Sequence, residues 1–231
     1  MLIFDPSTHV YRNPFTLQEY ISTTKLISKF KKPFNLEEVS KRIAEKEGVS
    51  QDHIKAKWKK LNDDSKVYGQ KIHSALEEYN KTKTFSEEDE NLIEAYKSLK
   101  IIDEKDNLLI EEKIHNHIFK IAGTADIIRL EDNGGFSVFD IKTNKKFNFF
   151  NQYSEYLLHP VSHLTACEFT TYSLQLSLYA YMYQGMTGRN INQLGVFYYD
   201  RNKEKFEYYP VIYLKNDINL ILDYYAKNLV G

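Results

Sequence analysis

The sequence predicts an α/β chain of mixed α+β character, with a mostly helical first hundred residues ahead of a half that contains a sheet. Three observations carry this reading. Residues 22 to 99 are charged, amphipathic and punctuated by capping residues. Residues 108 to 142 hold short apolar runs parted by turn sequences. Beyond residue 170, a strongly apolar helical run precedes two more strand-like runs. A chain of 231 residues with 42% hydrophobic content can bury a full core. It reads as one domain over 1–231, with a helical subregion over 1–100 and a sheet-containing core over 101–231.

In order, residues 2 to 21 form a small β element, with Asp5-Pro6-Ser7 as a turn between Leu2-Ile3-Phe4 and His9-Val10-Tyr11. Ser22-Thr23-Thr24 caps a short helix to Phe30, which Pro33 stops. Asn35 caps a second helix over 36 to 47, ended by Gly48, and Ser50 opens a third to Leu61. Asn62-Asp63-Asp64-Ser65 is expected to cap a fourth, running to Asn80. On it Gly69, His73 and Glu77 are spaced four apart and share a face. A lone histidine there is more often a packed or exposed residue than a ligand. Ser86-Glu87-Glu88-Asp89 resembles a capping box before a fifth helix to Leu99.

Strands are expected over 108 to 114 and 118 to 122, around a turn at His115-Asn116-His117, whose imidazoles read as exposed turn residues rather than a metal pair. Gly123 permits a bend or bulge before Asp126. The strand bearing Asp126 runs to Leu130, and Asn133-Gly134-Gly135 turns the chain into a strand over 136 to 142. Alternation puts Phe136, Val138, Asp140 and Lys142 on one face and Ser137, Phe139 and Ile141 on the other. Residues 144 to 170 are aromatic without clean periodicity. They read as a loop with a short helix over the core, or else as a wall for an extended substrate that stacks on bases. Thr170 or Thr171 caps an apolar helix to Met186, on which Gln175 needs hydrogen-bond partners and so faces a polar pocket. Strands over 194 to 200 and 206 to 213 follow, then a helix capped by Asn216.

A net charge of −1 argues against a generally basic coat but leaves room for a local basic groove. Lysines cluster at 25–32, 55–60 and 142–146, and the last cluster adjoins the two aspartate-bearing strands. No run of about eighteen apolar residues exists, so no membrane span is expected. The N-terminus lacks the features of a signal peptide. Cys167 is the only cysteine, which excludes an internal disulfide and a Cys-based zinc cage and fits a reducing, cytoplasmic setting.

Two carboxylates beside an amine are expensive to bury and suit a divalent metal with a water nucleophile, hence metal-assisted phosphodiester hydrolysis. Asp126 and Asp140 are the candidate Mg²⁺ ligands, with the backbone carbonyl of Ile141 as a further oxygen. Lys142, short of full protonation or simply as a donor, would position the attacking water. Taken alone, Asp140 and Lys142 equally describe an exposed edge strand with alternating charges.

The ordered set Gly69-x-x-x-His73, Gly123-x-x-Asp126, Asp140-Ile141-Lys142-Thr143 and Gln175-x-x-x-Tyr179 resembles the PD-(D/E)XK nuclease superfamily. Within it, the chain is most similar to the RecB-type exonuclease branch, which includes phage and mitochondrial single-strand DNA exonucleases. Thr8-His9-Val10-Tyr11, with Ser22-Thr23-Thr24 and Lys32-Pro33-Phe34, is similar to the lead-in of phage-type members. The resemblance implies a restriction-endonuclease-like core, a central mixed sheet flanked by helices, with the helical N-terminal part walling a DNA channel. It makes Asp126 and Asp140 metal ligands, Lys142 the catalytic lysine, His73 a metal or phosphate contact, and Gln175 and Tyr179 residues that orient Lys142 or substrate. Glu111 matches an acid that some members carry on the preceding strand, with Glu112 an equal competitor. Thr143, Lys145 and Lys146 are the candidate DNA contacts. The D-x-K acid is aspartate where many relatives have glutamate, and the segment 144 to 170 is long. The implied function is a Mg²⁺- or Mn²⁺-dependent exonuclease acting on DNA ends, with single strands preferred by several members. The alternatives are a structure-specific endonuclease and a non-catalytic DNA-binding subunit.

Overall fold

A computed structural model describes residues 2–5, 8 and 10–228. Pro6, Ser7 and His9, part of the expected first turn and strand, lie outside the described residues. The strands are β1 (Ile3–Asp5), β2 (Val10–Arg12), β3 (Glu19–Ser22), β4 (Asn107–Asn116), β5 (Ile121–Leu130), β6 (Phe136–Lys142), β7 (Ile191–Asp200) and β8 (Lys205–Val211). The helices are α1 (Thr23–Ser28), α2 (Leu36–Glu47), α3 (Gln51–Thr82), α4 (Glu90–Lys97), α5 (Glu168–Thr187) and α6 (Lys215–Asn228). The eight strands form one mixed sheet, parallel at β3–β5 and β6–β7 and antiparallel elsewhere. The parallel pair β6–β7 needs a crossover, which α5 supplies. This is the restriction-endonuclease-like α/β arrangement expected.

Most caps form as the sequence dictates. Ser22, Asn35 and Ser50 side chains accept from the backbone N–H three residues on, and Gly48 ends α2 at φ +68°. Four expectations fail. Helix α5 begins at Glu168 after Cys167, and α6 begins at Lys215, so Thr170, Thr171 and Asn216 lie inside their helices rather than capping them. The third and fourth helices are one continuous α3 of 32 residues, because Asn62 to Ser65 sit with no glycine or proline to break the ladder and their side chains turn mainly to solvent. At Ser86 the hydroxyl donates to the Asp89 carboxylate rather than capping a backbone amide, so a 3₁₀ turn at Glu87–Asp89 precedes α4.

The sheet is buried on both faces. From β6, Phe136 and Val138 pack with Leu174, Leu178 and Met182 of α5, while Phe139 and Ile141 pack with Leu76 of α3 and Ile93 and Tyr96 of α4. That alternation is the period-two pattern of the strand with a core on each side. α5 is apolar around most of its circumference because it lies between the sheet and α6. Among the described residues, no helix is long and apolar enough to cross a membrane.

Candidate active site

The site lies where β5 loses a neighbour. β4 pairs with β5 from Ile121 to Leu130, so β3 and β6 must share its other edge. β3 pairs with Ile121 and Ala122, and β6 pairs with Ile127 to Leu130. Residues 123 to 126 face the gap between them. Past Phe139, β6 leaves β5 but stays paired to β7 through Lys142. The amide this frees is taken by a side chain, since Ile141 N–H donates to Asp126 Oδ2 at 2.7 Å.

One polar cluster opens onto a cavity of about 500 Å³ in this gap. One ligand atom each from His73, Glu111 and Asp126 lie within 4.8 Å of one another. His73 Nδ1 stands 3.7 Å from Asp126 Oδ2, carried there by α3. Glu111 lies opposite Asp126 at the one interior step of the β4–β5 ladder that is left unpaired, with φ +54°, a conformation costly for a residue with a Cβ. Burial first, and then the Asp126 and Glu77 carboxylates, push the Glu111 carboxyl up to about 7. Glu112 pairs normally with Ala125, so the competition between the two glutamates is decided by the twist of Glu111. Two carboxylates and an imidazole are hard and borderline donors that fit Mg²⁺ or Mn²⁺, and crowding two acids is a cost that a dication relieves. The spread is slightly wider than the roughly 4 Å spanned by opposite ligands around such an ion.

The second cluster is buried and neutralised from within. Asp140, 2% exposed, lies 2.5 Å from Lys142 Nζ through Oδ2, and its Oδ1 accepts from Gln175 Nε2 at 3.2 Å. The Lys142 contact is close but off hydrogen-bond geometry, so it acts as an ion pair. Burial raises the Asp140 carboxyl to about 6 against the lowering pull of Lys142. Burial also works against the charged amine, but the Asp140 and Asp126 carboxylates outweigh it and hold Lys142 above its ordinary value. That direction favours Lys142 as a charged donor over a lysine short of full protonation. Gln175 Nε2 also donates to Tyr179 Oη at 2.9 Å, and Thr23 lines the same cavity as Tyr179. The polar pocket expected for Gln175 is this group of Thr23, Tyr179, Asp140 and Lys142.

The glycines explain how the helices approach. A Cβ at Gly123 would meet Tyr179 Cε1 at 2.5 Å, so Gly123 admits the ring and does not form the expected bulge. A Cβ at Gly69 would meet Thr143 Oγ1 at 3.0 Å, which lets α3 pass over the end of β6. Thr143 is buried there with its side chain against α3, and its carbonyl accepts from Arg201 Nη2. Lys145 and Lys146 are exposed. Sequence reasoning missed Tyr172, whose ring lies 4.8 Å from Lys142 Nζ, and Arg201, which stacks over Tyr68 at 4.2 Å. Tyr172 stands three residues before Gln175 and seven before Tyr179, so one face of α5 carries all three; that spacing was the available signal. His115 and His117 bond to each other at 2.9 Å and His117 to Tyr20 at 2.7 Å, apart from the site; the turn is 117–120, so His117 opens it as an exposed residue while His115 lies in β4. Residues 144 to 167 contain no helix, against expectation; a bridge between Tyr156 and Thr165 and the Asn151 amide hold the loop instead.

Comparison with known proteins adds an independent line. The family model described as PD-(D/E)XK nuclease superfamily matches residues 25–219. No curated protein matches the chain. A solved structure titled "Crystal structure of SSO0001" is similar at 17% identity and a TM-score of 0.35, over 60% of this chain. The chain spans 59% of the length of that structure.

Proposed function

The chain belongs to the PD-(D/E)XK nuclease superfamily, and from that premise we propose that it is a metal-dependent DNA exonuclease of the RecB-type branch. In this reading residues 1–231 act as one nuclease domain in the cytoplasm, on DNA ends. The observation that carries it is the meeting of Asp126, Asp140 and Lys142 at the gap between β5 and β6, with His73 brought in by α3.

Asp126, Glu111 and His73 would hold Mg²⁺ or Mn²⁺, with Asp140 and the Ile141 carbonyl as the adjoining donors. A bound divalent ion supplies a Lewis acid for the phosphate and a more acidic water. The chain's own groups do the rest. Lys142, held cationic, donates toward the attacking water or a phosphate oxygen, worth several kcal/mol where water is excluded. Gln175 fixes Asp140 and Tyr179 fixes Gln175, so the lysine and its carboxylate keep one geometry.

The test is hydrolysis of end-labelled single-stranded DNA, linear duplex and covalently closed circles with Mg²⁺ or Mn²⁺. Linear DNA should be degraded and closed circles spared, with activity lost in Lys142→Ala and Asp140→Ala. Cutting of circles would replace the end requirement with an endonuclease. Tight, salt-dependent binding without cleavage under either cation would overturn catalysis altogether.

A further inference from the structure

A second cleft, of about 530 Å³, lies on the far side of Tyr172 from the Gln175–Tyr179 pair. Tyr179 lines the cavity that holds His73 and Asp126, while Tyr172 lines this second one. The two tyrosines are separated by two turns on one face of α5, with Gln175 and the Asp140–Lys142 pair between them. The buried pair is thus flanked by an open cleft at each end of the same helical face.

The second cleft has a distinct chemistry. Lys31, Lys32 and Lys146 line it, and Phe150, Tyr153 and Tyr156 stand around it. Two acids also face it. Glu155 is 3.7 Å from Lys32, and Glu168 sits in the first turn of α5, which leaves one more cation than anion.

The aromatic loop divides into two kinds of ring. Phe147 stacks on Tyr209 at 4.7 Å, and Phe149 packs on Phe169 at 5.1 Å, so these two belong to the molecule's own packing. Phe150 and Tyr153 are 82% and 73% exposed, and among the described residues neither makes a ring–ring contact, nor does Tyr156. Exposing rings costs solvation free energy unless something covers them. They are also not free to collapse. The Asn151 side chain accepts from the Tyr153 and Glu155 amides and donates to the Ala166 carbonyl, and Leu157 N–H bonds the Leu164 carbonyl. The loop presents these rings on a stapled base.

We propose that this cleft is the subsite for the unpaired nucleotides next to the scissile phosphate, with Phe150 and Tyr153 stacking on bases and Lys32 and Lys146 on the phosphates. The proposal rests on the nuclease reading above and deepens it by naming the residues of this chain that meet unpaired bases. Bases in a duplex are already stacked and have no free faces for these rings, whereas any unpaired base has one. A polyphosphate or an acidic peptide would answer the lysines but leave the exposed rings without a partner.

The experiment compares the full chain with Phe150→Ala/Tyr153→Ala, using fluorescence anisotropy of a labelled dT oligonucleotide and of a blunt two-strand duplex without a loop, both in EDTA. Loss of stacking should weaken oligonucleotide binding by about tenfold or more, and move duplex binding less than threefold. Lys32→Ala/Lys146→Ala should lower the slope of log affinity on log salt for the oligonucleotide by about 1.4, from about 0.7 per phosphate contact on single strands. Equal loss on both substrates, or unchanged oligonucleotide affinity in the double aromatic variant, overturns the subsite. Cleavage by the parent chain is scored separately: binding that falls as expected in a chain that cuts nothing keeps the subsite and discards the nuclease.

Discussion

Two polar clusters sit side by side in this molecule and are built on opposite principles. Asp140, Lys142 and Gln175 are sealed in, and each charge is answered by a protein group. His73, Glu111 and Asp126 face a cavity with two acids and an imidazole, and among the described residues one carboxylate oxygen accepts a hydrogen bond, from the Ile141 amide. The first has its charges paired within the protein; the second has donor capacity to spare. Burial explains the difference, because a charge removed from water must be paired on the spot, while one at a cavity mouth can wait for a partner. The buried pair therefore weighs more on stability and the open trio more on metal binding, while Lys142, 19% exposed, still reaches the site.

The strongest way to break this contrast is to unpair the sealed cluster. Lys142→Ala leaves a carboxylate that is 2% exposed without its cation, and should cost about 3–5 kcal/mol in a urea titration. Adding Asp140→Asn should recover most of that loss, since the pair acts as a unit. Asp126→Asn should cost no more than about 1 kcal/mol. If Asp126→Asn proved the costlier of the two single changes, the division of labour would be wrong.

Metal should reverse the ranking. Saturating Mg²⁺ or Mn²⁺ at a hundredfold over its dissociation constant should add about 2.7 kcal/mol to stability, visible as a rise in melting temperature. Asp126→Ala or Glu111→Gln should abolish that rise, whereas the surface change Phe150→Ala should keep it. A rise of equal size in all of them would place the ion elsewhere.

A smaller effect tests the wall between the clusters. Gly123→Ala drives a methyl group to 2.5 Å from Tyr179, and should destabilise by about 1–3 kcal/mol while slowing any DNA hydrolysis through a displaced Gln175. Unaltered stability with unaltered activity would mean that Tyr179 has room to retreat.

The last test is pH dependence. The Glu111 carboxyl is raised from 4.5 to about 7 in the folded chain, so between those values the folded state holds more protons than the unfolded one. Stability of the metal-free protein should then fall as pH rises through that window and stay lower above it. Metal must displace that proton, so the metal-induced rise in melting temperature should shrink as pH drops below about 7. Glu111→Gln should flatten the Glu111 part of the slope, leaving a shallower dependence from Asp140, raised to about 6. A slope unchanged by Glu111→Gln would assign it to other groups.

Much of this was readable from residue order. The two faces of β6, the caps at Ser22, Asn35 and Ser50, and the Gln175–Tyr179 pair follow from local periodicity and from the demand that a buried amide find partners. Local signals also misled where they competed with nothing visible in sequence. Asn62 to Ser65 look like a cap, yet an unbroken helix costs little there because no turn is required between the halves of α3.

By itself, then, the sequence determined on which face of a strand or helix each candidate residue lies, because side-chain direction repeats with the backbone. Only the tertiary structure decided what they meet. That Glu111 rather than Glu112 turns to the site depends on one left-handed residue opposite Asp126. That β3 takes part of an edge of β5 and leaves a gap, that Tyr172 reaches Lys142, and that Phe147 is packed while Phe150 is bare are all contacts between distant segments. Such contacts are set by which edges and rings remain unsatisfied once the sheet has closed, and no local period encodes that.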